Sequence, residues 1–154
     1  MSRMIFINLP VADLERAKKF YSSIGFTNEP RFTDDTAAAM TLSETIHLVL
    51  LTPGKWEQFS NKAKTDPYRT SSAIYAVTCD SRDAVDEMLA RVADAGGKPD
   101  SNPPQDFEFM YSRSFEDPEG YDWEMVWMDP ATAELGSQEF NDLGGTYSGE
   151  EGVK

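Results

Sequence analysis

The chain has 154 residues, 40% hydrophobic and 27% charged, which is enough for one domain with its own core. Asp and Glu outnumber Lys and Arg by 27 to 14, and a net charge of −13 repels phosphate backbones, which excludes nucleic acid and anionic membrane as partners. The one cysteine, Cys79, excludes an internal disulfide and any multi-cysteine zinc site.

MSRMIFINLP carries no signal-peptide pattern, and no apolar run nears the roughly 20 residues that span a bilayer, so a soluble, cytoplasmic protein is expected. Met4 to Val11 alternates Ile5, Ile7, Leu9 and Val11 with Phe6, Asn8 and Pro10 and reads as a strand. Asp13 suits a helix N-cap, and LERAKKFYSSI sets Leu14, Ala17, Phe20, Tyr21 and Ile24 on one stripe before Gly25 ends it. An extended piece around 27–32 precedes two strands, 36–42 and 46–52, joined by a turn at Ser43-Glu44. PGKWEQFSNKAKTDPYRT (53–70) is polar with scattered aromatics and reads as a mobile crossing.

The plan then begins again. Residues 72–79 (SAIYAVTC) form a strand, Asp80 or Ser81 caps a helix with the stripe Ala84, Val85, Met88, Leu89, Val92 and Ala95, and Gly96-Gly97 closes it. A Pro- and Asn-rich loop leads to a strand over 107–115, the tight turn Asp117-Pro118-Glu119-Gly120, and a last strand over 123–128. Setting Asp13 over Asp80 lays FINLPVAD over AIYAVTCD, and setting His47 over Glu124 lays HLVLLTP over EMVWMDP. Two matches in the same order point to a duplicated module. The expected division is module one at 1–53, a connector at 54–71, module two at 72–130, and a Gly- and Ser-rich acidic tail at 131–154. The tail reads as weakly ordered, with Phe140, Leu143 and Tyr147 available to dock on a partner.

Strand alternation locates the chemistry. If Trp123, Met125 and Trp127 face the helices, then Glu124, Val126 and Met128 face the other way. The same parity gives that second face His47, Val49 and Leu51, then Phe6, Asn8 and Pro10, then Ala73, Tyr75 and Val77. Sheets apolar on both faces need covering twice, by helices on the outer face and by curling into a cup on the inner one. Glu124 and His47 then project into the cup. A carboxylate there is costly unless it meets a cation, a hydrogen-bond donor or a proton.

FINLPVADLERAKKFYSSIGF and FEDPEGYDWEMV resemble the opening and closing signatures of the vicinal oxygen chelate superfamily, which includes glyoxalase-type lyases, bleomycin-resistance proteins and extradiol dioxygenases. The resemblance spans roughly residues 4–130 and implies an α+β fold of two tandem βαβββ modules, with curled mixed sheets forming a cup, and a homodimer. It also implies, for metal-dependent members, four ligands to a divalent ion: one on the first and one on the last strand of each module. Glu124 matches the last of these and His47 falls at or near its counterpart, but the other two positions, counted back from the helix caps, are Phe6 and Ala73. Neither donates a lone pair, and His47 is the only histidine. The expectation is a degenerate centre with no resident cofactor. A divalent metal, if bound, would rest on Glu124 and His47.

The favoured function is metal-independent binding of a small apolar, aromatic or amphipathic molecule in a cup lined by Phe6, Asn8, Tyr75, Val49, Val126 and Met128, with Glu124 and His47 as polar points. The alternatives are a metal-dependent lyase, isomerase or extradiol dioxygenase, and a dimeric interaction module. Glu124 reads equally as a general base or ligand anchor and as a carboxylate paired with Arg113, Tyr111 or water. Tyr111 and Arg113 read either as packing with a snorkelling guanidinium or, through a bulge, as ligand contacts that would select an anion. Trp56, Phe59 and Tyr68 read as a lid or as dimer contacts, and Cys79 as a structural thiol. No phosphate loop, nucleophile elbow, zinc-protease helix or dinucleotide fingerprint occurs.

Overall fold

The computed structural model describes residues 1–132 and Asp142. The tail positions Phe140, Leu143 and Tyr147 lie outside the described residues. The first half runs β1 (Ile5–Pro10), α1 (Leu14–Ser23), β2 (Thr27–Glu29), a 3-10 turn (Pro30–Phe32), β3 (Ala37–Thr41) and β4 (Ile46–Leu51). After α2 (Pro53–Phe59) come β5 (Ile74–Thr78), α3 (Arg82–Asp94), β6 (Lys98–Pro99), β7 (Gln105–Phe107), β8 (Met110–Glu116) and β9 (Asp122–Met128).

The architecture is α+β, with two mixed sheets that are not closed into a barrel. The first has the order β1-β4-β3-β2 and the second β5-β9-β8-β6, with β7 also pairing to β8. In each sheet the first strand is an edge and lies parallel to the last, which requires a crossover, and α1 and α3 supply the bulk of it. Asp13 caps α1 by accepting the Arg16 N–H at 3.0 Å, and Gly25 ends it at a φ of 110°. The cap of α3 is Ser81, whose hydroxyl accepts the Ala84 N–H at 3.0 Å.

One core joins both halves. Leu14, Ala17, Phe20, Tyr21 and Ile24 of the first stripe and Val85, Leu89 and Val92 of the second are buried together. They meet Leu9, Met40, Leu48 and Leu50 from the first sheet and Phe115, Trp123 and Met125 from the second. Phe20 lies 6.3 Å from Phe115 and Tyr21 lies 5.9 Å from Trp123, centroid to centroid, so α1 packs against the opposite half as well as its own. Because both sheets turn their helix-side faces to this one core, their second faces look away from each other.

Two expectations change here. The crossing is not structureless: Thr52 caps α2, Pro53 opens it, and the helix rests on β1 and β4. The strand expected over 107–115 is split by a turn at Glu108-Phe109 into the β7–β8 hairpin. Among the described residues no helix is long and apolar enough to cross a membrane.

Candidate functional site

The turn between β8 and β9 fixes where the Glu124 strand begins. Asp117 accepts the N–H groups of Glu119 and Tyr121 at 2.9 and 2.8 Å, while Gly120 takes a φ of 98° that other residues rarely adopt. A Cβ at Gly120 would sit 2.8 Å from backbone atoms of Pro67 and Tyr68, so the connector lies flat on this glycine. Glu119, only 3% exposed, reaches into the first half and accepts the N–H groups of Ala12 at 3.2 Å and Asp13 at 2.8 Å, with Arg16 at 3.4 Å. Asp117 also accepts the Tyr21 hydroxyl, which itself accepts the Trp123 indole N–H at 3.0 Å. Tyr121 donates to the Pro10 carbonyl at 2.5 Å, and Tyr68 donates to that of Pro118. Burial pushes the Asp117 carboxyl up to about 6, against the hydrogen bonds that favour its charged form. Sequence reasoning took these two carboxylates for turn formers only; their partners are about a hundred residues away, and no local pattern marks them.

From that anchor β9 alternates as expected. Trp123 and Met125 are buried, and Glu124, Val126 and Met128 lie on the second face. Glu124 stands between Ala76 of β5 and Ser114 of β8. Its carboxylate makes no hydrogen bond or ion pair among the described residues. Beside it opens a cavity of about 220 Å³, walled by Ser112, Ser114, Asp122 and Ile74, by the loop that carries Asn102 and by Gln105 at the start of β7. Ser114 pins that loop by accepting the Asn102 N–H at 2.8 Å and meeting the Ser101 hydroxyl at 3.3 Å. The surroundings of Glu124 are thus more polar than an apolar cup, and sequence reasoning missed Ser112, Asp122 and the loop. Alternation alone would have found Asp122, two residues from Glu124 on the same strand.

Several expected site residues are elsewhere. Tyr75 pairs with Trp123 in the ladder and packs on it at 5.0 Å between ring centroids, on the helix side. The reason is the cap: with Ser81 rather than Asp80 starting α3, β5 shifts by one residue, and a one-residue shift exchanges the faces. Ala73 precedes the strand, and Ile74 takes the outward place. Tyr111 and Arg113 also lie on the helix side. The Tyr111 hydroxyl donates to Asp86 at 2.7 Å, and Arg113 grips Asp100 at 2.9 and 2.7 Å and Asp86 at 3.0 Å, bonds that hold its guanidinium firmly charged.

Phe6, Asn8, His47 and Val49 share the second face of the first sheet, across the core from Glu124. His47 stacks on Phe6 at 4.7 Å, and its ring nitrogens meet the Thr41 hydroxyl at 3.0 Å and the Glu44 carbonyl at 3.3 Å. Aligning the true caps, Asp13 and Ser81, sets Phe6 over Ile74; the ladders then set Val49, not His47, over Glu124. Val126 and Met128 share the Glu124 face. Among the described residues no group of three His, Cys, Asp or Glu side chains could hold a metal ion. The donor set offers two carboxylates, Glu124 and Asp122, where four ligands are called for, and a resident divalent ion does not fit it.

Two mixed sheets with parallel first and last strands, backed by helices and presenting an outward strand glutamate, define a class of α+β proteins with curled sheets. A family model described as the Glyoxalase/Bleomycin resistance protein/Dioxygenase superfamily matches residues 3–125, and the chain belongs to that family. Among solved structures, a hypothetical protein from S. aureus is 20% identical, with a TM-score of 0.68 over 82% of this chain and 95% of its own. A glyoxalase-related enzyme from Fulvimarina pelagi is also 20% identical, at 0.68 over 82% and 88%. The fosfomycin resistance protein FosX from Mesorhizobium loti is 18% identical, at 0.58 over 88% and 97%. At these identities the likeness is one of fold. No curated protein matches in sequence.

Proposed function

We propose that the protein binds a small amphipathic molecule without a metal, acting as a homodimer in the cytoplasm. The observation that carries this reading is Glu124, an unpaired carboxylate on the wall of a cavity, with carbon side chains at the matching outward positions. Such a group is stabilised by a ligand that offers it a donor or a cation. The edge strands β1 and β5 favour a dimer. Ile5, Phe6 and Ile74 on them are 54%, 56% and 63% exposed, and apolar edges of this kind invite pairing. A second copy laid edge to edge would bring the face that carries Phe6, Asn8, His47 and Val49 toward the Glu124 cavity, adding a mixed wall to the polar one. Sequestration of a small toxic compound is the role that fits; the FosX likeness is consistent with it. A single half-buried thiol, Cys79, suits a reducing compartment, and the charge of −13 disfavours nucleic acid.

The test is thermal unfolding after chelation, repeated with Mn²⁺, Fe²⁺, Ni²⁺ and Zn²⁺, combined with native mass spectrometry. Midpoints that do not move, and a dimer mass without an ion, are expected. A rise of several degrees with one of these ions would establish the metal-dependent lyase, isomerase or dioxygenase reading instead.

A further inference from the structure

Resting on the reading of the Glu124 cavity as a metal-free ligand site, we infer that its ligand is a small organic cation: a protonated amine with a hydroxyl or carbonyl group a few atoms away. Charge is the first argument. Asp122 and Glu124 alternate onto the same face of β9 and both border the cavity, and neither carboxylate is bonded among the described residues. Among the described residues no lysine, arginine or histidine lines it. Arg113 points to the other face and is held by Asp86 and Asp100, while Lys98 stands opposite Glu116 at the far edge of the sheet. An anion would meet two like charges, and a neutral ligand would cover the carboxylates without compensating them.

Ser112 is the second argument, and it is independent of charge. It is 3% exposed and borders the cavity, and its hydroxyl makes no hydrogen bond among the described residues. The hydroxyl opens onto the cavity instead of being sealed behind its wall, so a ligand group entering there meets a donor and acceptor that no protein group engages. In the ladder Ser112 faces Val126 and Ser114 faces Glu124, which sets Ser112 and Glu124 on a diagonal about 7 Å apart. One ligand reaches both only if its cation and its second polar group are separated by a few bonds. The cavity of about 220 Å³ holds the equivalent of about seven waters, the room for a short aliphatic skeleton. A bare metal ion would leave Ser112 unserved and find only two carboxylates.

The test uses aminobutanol, with pentanediol as its uncharged match and hydroxybutyrate as its anionic match, followed by calorimetry and by the amide shifts of Ser112 and Glu124. Saturable binding of aminobutanol is expected, at least about tenfold tighter than either match. Glu124→Gln weakens it by about tenfold or more, and Ser112→Ala by about threefold to tenfold. Ser112→Ala keeps or raises the thermal midpoint without ligand, because it removes an unpaired hydroxyl; this separates a binding role from a structural one. Equal binding of pentanediol or hydroxybutyrate, no saturable binding of aminobutanol, or unchanged affinity in Glu124→Gln overturns the cation inference and leaves the metal-free site standing. Binding that appears only with an added divalent ion overturns both.

Discussion

Glu119, in the turn between β8 and β9, accepts the backbone N–H groups of Ala12 and Asp13 at the entrance to α1, at 3.2 and 2.8 Å. One side chain of the second half thus satisfies the chain just before the first helix, and Arg16 from the first turn of that helix closes over it at 3.4 Å.

Replacing Glu119 by Ala leaves two N–H groups without an acceptor in a buried place. The expected loss is about 2–4 kcal/mol of unfolding free energy in urea titrations. Glu119→Gln keeps one acceptor oxygen and loses about half as much. A loss below about 0.5 kcal/mol for the alanine variant would show that the contact contributes nothing.

Asp117 gives a pH dependence of unusual sign. Its carboxyl is raised to about 6 in the folded chain from an ordinary 3.8, so its contribution to stability is complete below about 3.8 and fades as the pH rises through 6. Tyr21, Glu119, Tyr121 and Tyr75 are the titratable groups around it. The stability of the parent relative to Asp117→Asn therefore grows by about 2–3 kcal/mol on going from pH 7 to 4. Parallel curves for the two proteins would refute it.

Arg113 lies away from the cavity, so Arg113→Gln separates stability from binding. The loss of its bonds to Asp86 and Asp100 costs about 1 kcal/mol, discounted for solvent screening of these partly exposed carboxylates. Ligand affinity at the Glu124 cavity stays within about twofold. A collapse of affinity with intact stability would return Arg113 to the site.

Phe6→Asp puts a charge on the exposed apolar edge of β1. Sedimentation velocity is expected to find a dimer for the parent and a monomer for this variant, with an unchanged circular dichroism spectrum. A dimer that survives this change and Ile5→Asp together would require another interface.

The sequence announces α1 clearly because every signal is local: a cap at Asp13, a stripe from Leu14 to Ile24 and a left-handed Gly25. α2 is hidden because it buries no residue fully, and Phe59 is mostly exposed, so it has no stripe to read. The face of Tyr75 is misread because a single extra residue separates β5 from its helix cap, and alternation carries the error along the whole strand. Glu124 is legible as an outward carboxylate from alternation alone. Its polar neighbours are not, since Asn102 reaches it from a loop fixed by the Ser114 hydroxyl and Gln105 from the start of β7 beyond that loop. Asp117 and Glu119 are the hardest case, because residues distant in the chain give them their meaning.

The fastening of the β8–β9 turn onto the start of α1 limits how this chain can be recombined. A chimera joining residues 1–53 to the second half of a relative would need compatible residues at Glu119, Tyr121 and Asp117, or the exchange would strand Pro10, Ala12, Asp13 and Tyr21 together. Inheritance of the two halves is therefore expected to be joint, while the loop over Asn102 remains free to drift and to retune what the molecule captures.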